Sequence, residues 1–200
     1  RAPFIVLVAP SFPARTMQDL VRIARERPGE VNYASAGPGS NNHLATELFN
    51  LRAGTRMQHV PYRGMASALT DLAAGRVQVL FTTMASASGP MRAATVRLLA
   101  YTAPERPAGM PPAPTVEATG IDYTLGLWWA LFGPRGLPPE VVRTLNAAAN
   151  DSLADPALAH YLEADGGVPS PATSAEAAAL LREESERARE LVAAAGIHAN

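Results

Sequence analysis

Hydroxyls, amides and glycines stand close together in the run Ala34-Ser35-Ala36-Gly37-Pro38-Gly39-Ser40-Asn41-Asn42-His43-Leu44. Gly37 and Gly39 let the backbone take positive φ and lie close to another atom. Ser40, Asn41 and Asn42 are all preferred N-cap residues, so a helix is expected to begin within them. A helix start offers unpaired N–H groups, and the short side chains here leave room in front of it. Such a turn suits an anion. The same residues also serve an ordinary strand-to-helix turn that binds nothing, and their types alone leave both readings open.

The fuller nucleotide signatures are missing. The chain contains no lysine, which excludes the Gly-Lys-Ser/Thr ending of a phosphate-binding P-loop. Position 42 is Asn, so no third glycine follows Gly37-Pro38-Gly39 at dinucleotide spacing. What remains is a cradle for a small anion, most naturally a carboxylate.

Other chemistry-bearing residues are scattered. His43 has no acidic residue placed to orient it and reads as a hydrogen-bonded structural group rather than a base. His59, His160 and His198 form no metal-ligand spacing. Ser40 lacks the Gly-x-Ser-x-Gly elbow of a hydrolase nucleophile. Asp71 falls mid-helix, in a solvated or capping role. Arg63 could clamp a carboxylate with two hydrogen bonds or point to solvent from its turn. Trp128 and Trp129 alternate faces of an expected strand, which puts one ring in the core and the other at a cleft or interface. No acid, base and nucleophile assemble, so binding is favoured over catalysis.

The 200 residues suffice for one domain or two small lobes. A net charge of −1, from 17 basic and 18 acidic residues, gives no electrostatic case for nucleic acid or an anionic membrane. Without cysteine there is no disulfide framework, thiolate nucleophile or zinc-thiolate site. No apolar run approaches the roughly 18 residues of a spanning helix. Arg1-Ala2-Pro3 leads at once into Phe4-Ile5-Val6-Leu7-Val8, a run of buried-strand type. A chain seldom begins inside a core strand, so the original N-terminus, including any export signal, is expected to lie upstream of Arg1.

Strand and helix signals then alternate. Thr16 caps a helix striped by Met17, Leu20, Val21, Ile23 and Ala24; Val31–Ala34 leads into the glycine turn and a helix reaching about Arg52. Strands are expected at 57–60, 77–81 and 97–101, with helices over 65–74 and near 89–94. This alternation argues a parallel α/β sheet with helices on both faces. Pro104 to Pro114 reads as a loop, Tyr123 to Leu131 as a strand returning toward Phe4–Val8. Helices follow over 140–153, 157–164 and 174–195. For the last, Glu176 lies two residues after Ser174 rather than three, so no capping box is expected there. Ligands of such sheets sit beyond the carboxyl ends of the strands, where the loops Ser35–Asn42, Pro61–Gly64 and Thr82–Ser86 converge.

The ordered segments Val31-Asn32-Tyr33 with Ala34 through Ala45, His59-Val60-Pro61-Tyr62-Arg63-Gly64, and Pro114-Thr115-Val116 resemble the Bug (TctC-like) family. These are extracytoplasmic solute-binding receptors of tripartite tricarboxylate transport systems, and the likeness spans essentially all 200 residues. It implies an α/β fold of the type II periplasmic-binding-protein kind, with one complete lobe on a parallel-type sheet and a partial second lobe. On that pattern, residues 1–10 are an interlobe strand, 11–123 the complete ligand-binding lobe, and 124–200 a return strand with the C-terminal helical part of a truncated first lobe. Relatives carry roughly another hundred residues upstream, about one lobe.

Carried over, the ligand-binding residues are Ser35, Gly37, Gly39, Ser40, Asn41, Tyr62, Arg63, Gly64, Thr82 and Thr83. At the last two positions many relatives carry Asp or Asn. The resemblance implies no catalysis, cofactor, metal or nucleic acid, and a periplasmic location. The implied partners are a small carboxylate and either transporter subunits or a sensor protein, with homo-association through exposed first-lobe surface. The tail is expected to pack differently from full-length relatives or to use a neighbouring chain. An α/β enzyme acting on a small acid is the remaining alternative. Micromolar binding needs about 8 kcal/mol. Two or three charge-assisted hydrogen bonds offer on the order of 3–9 kcal/mol gross. Association costs at least about 4 kcal/mol. Millimolar binding or weaker is therefore expected from one lobe.

Overall fold

Ile5-Val6-Leu7-Val8 carries no polar side chain, and all four residues are buried as one strand in the middle of a sheet. The structure is a computed structural model and describes residues 1–164 and 166–197; His198 lies outside the described residues. In chain order the strands are β1 (Ala2–Pro3), β2 (Ile5–Val8), β3 (Asn32–Ser35), β4 (Gln58–Pro61), β5 (Val79–Thr82), β6 (Arg97–Tyr101) and β7 (Gly126–Leu127). The helices are α1 (Met17–Glu26), α2 (Asn41–Ala53), α3 (Met65–Ala73), α4 (Met84–Arg92), α5 (Pro139–Leu153), α6 (Pro156–Ala164) and α7 (Ser174–Ala194).

The α/β class holds, with a five-stranded sheet in the order β4-β3-β5-β2-β6. β3 runs parallel to β4 and β5, while β2 is antiparallel to both β5 and β6. The sheet is thus mixed, with β2 against the other four strands. The reason lies at one edge, where the Ala9 amide donates to the Gln78 carbonyl and the Gln78 amide to the Asn32 carbonyl. The segment after β2 turns the chain without carrying it back along the sheet, so β3 starts where β2 finishes.

The crossover from β3 to β4 and the one from β4 back past β3 to β5 run in opposite directions. Right-handed crossovers then put α2 and α3 on opposite faces. α7 packs on α2 and α4 on α3. Under α2, Phe49, Phe81 and Tyr123 form a ring cluster with centroids 5.4–6.1 Å apart. The Tyr123 hydroxyl donates to the Ala45 carbonyl at 2.9 Å. At the far end of α2, Arg25 donates through Nε to the Ala53 carbonyl at 3.0 Å, which satisfies an orphan carbonyl of the last turn. The helix carrying the glycine turn is therefore fixed at its middle and its end.

Three local expectations change. α4 starts at Met84, ahead of the expected 89–94, because the Thr83 hydroxyl accepts the Ser86 amide and caps it; Gly89 and Pro90 sit inside the helix. Of the expected strand 123–131 only Gly126–Leu127 pairs, antiparallel to Ala2–Pro3. With the strand ended at Leu127 the face alternation stops, so neither tryptophan is core: Trp128 is half-buried and Trp129 67% exposed. In α7 the N-cap is Thr173, one residue earlier than expected, which makes Glu176 the third helical residue and completes a capping box. The chain crosses between its two parts at Thr102, whose hydroxyl accepts the Phe4 amide and donates to the Leu125 carbonyl.

Candidate functional site

Strands β4, β3 and β5 are neighbours with a common direction, and each is followed by a helix whose N-terminus stands at the same end of the sheet. β3 feeds α2 on one face while β5 feeds α4 on the other. The crevice between β3 and β5 is thus a topological switch point, where open α/β sheets bind ligands. Asn42 spans it, donating through Nδ2 to the Phe81 carbonyl at 2.6 Å. The Tyr62 amide donates to the Ser35 carbonyl at 2.9 Å and binds the β4 loop to the β3 loop.

Each helix start leaves amides over. The Ser40 hydroxyl accepts the His43 amide, and Asn41 and Asn42 keep their backbone N–H groups unpaired among the described residues. Gly64 caps α3 with no side-chain bond, so Met65 and Ala66 do likewise. Thr83 caps α4 and leaves Met84 and Ala85. Three dipole ends and six amides face one rim. Beside them Arg63 is exposed, with no hydrogen bond or ion pair among the described residues.

The expected ligand residues divide into two sets. Ser35, Gly37, Gly39, Ser40, Asn41, Tyr62, Arg63, Gly64, Thr82 and Thr83 all fall on these three adjacent loops or the strand ends that feed them. Several have their polar groups committed inside the protein, however. The Gly37 amide donates to the Ser35 hydroxyl and the Gly39 amide to His43 Nδ1, both at 3.0 Å. The Ser40 hydroxyl donates to the Gly37 carbonyl at 2.7 Å, and the Tyr62 hydroxyl to Asp71 at 2.8 Å. Asp71 also holds Arg76 at 2.6 Å, an ion-paired role in place of the expected solvated one. Thr82 is buried at the end of β5. The donors available to an anion are therefore the backbone of Asn41 and its counterparts on α3 and α4, with the Arg63 guanidinium.

Behind the glycine turn lies a stack of rings that spacing alone did not reveal. His43 and His59 lie face to face with centroids 3.9 Å apart and an interplanar angle of 9°. Tyr33 lies beside the pair, its ring centroid 5.1 Å from that of His59 and 6.2 Å from that of His43. Parallel register is what pairs Tyr33 with His59, and the N-cap at Ser40 is what aims His43. Glu47 lies one turn beyond His43 and acts on its charge without a hydrogen bond to the ring; its carboxylate accepts the Tyr33 hydroxyl at 2.5 Å. Burial lowers the His43 pKa, opposed by Glu47. Burial and then the charge of His43 push His59 down to about 4. Burial and the Glu47 bond raise Tyr33 well above its ordinary value.

Ser35 Oγ and His59 Nε2 are 2.5 Å apart, the contact of a nucleophile and its base. Ser35 is nevertheless fully buried, and its oxygen already accepts the Gly37 amide and bonds the Gly37 carbonyl. Behind His59 stands another imidazole where a triad places a carboxylate. The pair is built to hold a turn. A groove of about 540 Å³ also runs between α2, α7 and the 125–128 segment, walled by Phe4, Leu44, Leu48, Trp128 and Leu191. Its arginines are committed, Arg52 to Asp122 and Arg187 to Glu183 and Glu184, so it offers an anion far less than the loop rim does.

Comparison with known proteins gives concordant matches. The profile described as TctC, tripartite tricarboxylate transporter family receptor, matches residues 1–197. A protein encoded in the tcbD-tcbE intergenic region of a Pseudomonas species is 34% identical over 99% of this chain, which spans 60% of that relative's length. Among solved structures, R. palustris Rpa4515 with adipate superposes with a TM-score of 0.88 at 31% identity, covering 98% of this chain and 66% of that one. MatC from Rhodopseudomonas palustris with bound malate superposes with a TM-score of 0.80 at 27% identity, covering 96% and 66% of the two chains.

Proposed function

The chain belongs to the tripartite tricarboxylate transporter receptor family, and on that premise we propose that it is a solute-binding receptor that captures a small carboxylate. One observation carries the reading: three helix N-termini from adjacent parallel strands meet at the switch point and present six unpaired amides to a single rim. Anions are favoured at each such terminus by about 0.3–1 kcal/mol, and by up to about 2 kcal/mol where partly buried. Adipate and malate, the acids held by two structural relatives, are both dicarboxylates, which supports a dicarboxylate here. One carboxylate sits on the α2 and α4 amides, and Arg63 takes a second acidic group or a hydroxyl at the β4 edge.

In the same proposal residues 11–123 are the ligand-binding lobe, 1–10 an interlobe strand, and the segment from 124 onward part of the opposing lobe. The protein works in the periplasm and delivers its ligand to the membrane subunits of a tripartite transporter. The transporter is preferred to a sensor protein or a second copy as the partner because the matching family is described by its transporter. Titration of the ¹⁵N-labelled chain with malate and adipate, to tens of millimolar near neutral pH, tests the reading. The amides of Asn41, Asn42, Met65, Ala66, Met84 and Ala85 are expected to shift together with a millimolar midpoint. No response to either acid, or shifts confined to the α2–α7 groove, overturns it.

A further inference from the structure

His43 and His59 are the only imidazoles in the sheet lobe, and each is bonded to the glycine turn rather than to solvent. The Gly39 amide donates to His43 Nδ1 at 3.0 Å, which requires that nitrogen to be unprotonated and puts the ring's hydrogen on Nε2. The backbone amide of His43 is held in turn by the Ser40 hydroxyl. One residue therefore closes the turn from both sides. On the opposite strand, His59 Nε2 contacts the Ser35 hydroxyl, which accepts the Gly37 amide. The two rings lie flat on one another at 3.9 Å, so neither can swing away without displacing its neighbour.

We infer that His43 and His59 are positioning residues for the ligand: an unprotonated His43 holds the Gly39 amide, His59 holds the Ser35 hydroxyl, and protonation of His43 releases the turn. This rests on the carboxylate-receptor reading only for the claim that a ligand meets the turn. A doubly protonated imidazole has no acceptor, so its Nδ1–H would stand opposite the Gly39 N–H at hydrogen-bond distance. The turn must then open, and the start of α2, with the Asn41 and Asn42 amides, loses its fixed direction.

The titratable groups around the pair come from each packed element. β3 contributes Tyr33 and α2 contributes Glu47, bonded to each other at 2.5 Å. β4 contributes His59 itself. Beyond β4 stands the Tyr62–Asp71–Arg76 network of α3 and its flanks. Glu47 favours a charged His43, but burial outweighs it, and a charge on either ring opposes a charge on the other. Near neutral pH both rings are therefore neutral and the turn is held; acid unlatches it.

The ligand-free protein provides the first measurement. ¹H–¹⁵N spectra from about pH 8 to about pH 4, with the imidazole carbons followed in parallel, cover the range over which the rings charge. The Gly39 and Gly37 amides are expected to move with the same midpoint as the His43 ring, below the ordinary histidine value. In H43N the Asn carbonyl stands near the Nδ1 position and does not titrate, so the Gly39 movement is expected to vanish. H43F keeps a ring, lacks the acceptor, and is expected to show the released Gly39 position at every pH.

Malate binding supplies the second measurement. Affinity for malate is expected to fall several-fold more on acidification in the wild type than in H43N; protonation of malate itself is common to both and cancels. If Gly39 stays still while His43 titrates, or H43N keeps the wild-type pH profile, the inference is overturned. Should H43N not fold, the wild-type co-titration alone decides. Should no acid bind at neutral pH, the receptor reading fails while the ligand-free titration still tests the latch.

Discussion

All the buried apolar side chains among the described residues lie between Ala2 and Tyr123, except Leu191 on α7. The large apolar side chains left in solvent are distributed the other way. Trp129, Leu131, Phe132, Val141, Leu145, Tyr161, Val168 and Leu181 all follow β7, and only Leu51 precedes it. α5 buries nothing fully. Helices of the sheet lobe are thus held by packing, as amphipathic helices usually are. Tail helices are held by local chemistry: a capping box at Thr173, Asp155 accepting the Ala157 amide at the start of α6, and the pairs of Arg187 and Arg189 with glutamates one turn away. Asn146 and Asn150 on α5 pin the α6–α7 connection by donating to the Ala172 carbonyl. The rim of unpaired amides belongs wholly to the packed region, where a rigid scaffold can keep loop amides aimed.

The widest expected gap between the two regions is in truncation. Phe81 is fully buried against Phe49 and Tyr123, so Phe81→Ala is expected to destabilise by about 3–5 kcal/mol. Leu181→Ala, at a side chain 38% exposed, is expected to stay within about 1 kcal/mol of wild type. Urea unfolding midpoints compare the two, and a Leu181 effect approaching that of Phe81 would show that the tail is packed after all.

Acid sharpens the same contrast. His43 and His59 are held neutral by burial, below their ordinary value near 6.5. The unfolded chain binds their protons first, so the lobe is expected to lose stability as pH falls from about 6.5 toward about 4. In the tail Glu176 is held below its ordinary 4.5, chiefly by the Thr173 amide. Its contribution is complete above that value and is lost only as pH drops further. Thermal melts followed by near-UV signal from the lobe tyrosines should therefore weaken at a milder acidity than the helical signal of α7. A lobe Tm that is flat between those limits would contradict neutral buried histidines.

How much of this was legible in the sequence follows the same division. The strand-to-helix turn at 35–42 was readable because Gly37, Gly39 and the Ser40 cap each have a local conformational reason, and Ser40 is the N-cap observed. Apolar runs likewise located β2 and β6. Strand direction was not readable, since nothing local distinguishes a β2 that enters parallel from one that enters antiparallel; the bonds that the Ala9 amide donates to the Gln78 carbonyl and the Gln78 amide to the Asn32 carbonyl decide it. The histidine stack was hidden for a related reason. His43 and His59 are 16 positions apart and meet only through the β3–β4 register. Side-chain acceptors of the turn itself, Ser35 and His43, take the Gly37 and Gly39 amides, the most conspicuous donors in the sequence, while the less conspicuous Met65 and Met84 amides are left over.

The smallest effect distinguishes the regions most cleanly, because it uses one motif in both. Thr16 with Asp19 and Thr173 with Glu176 form the same reciprocal capping box. Removing the hydroxyl, Thr16→Ala or Thr173→Ala, costs each helix about 1 kcal/mol. α1 buries Met17, Leu20, Ile23 and Ala24, so after Thr16→Ala the helix remains in place and the loss is expected as a lower unfolding midpoint with unchanged far-UV ellipticity. α7 buries only Leu191, so after Thr173→Ala the same energy is expected to fray the first turns, lowering ellipticity while the lobe's midpoint stays put. Packing converts a local defect into a global one, and the lack of packing keeps it local. If Thr173→Ala left the helical signal intact and lowered the common midpoint instead, α7 would be coupled to the lobe through its contact with α2, and the two regions would unfold as one.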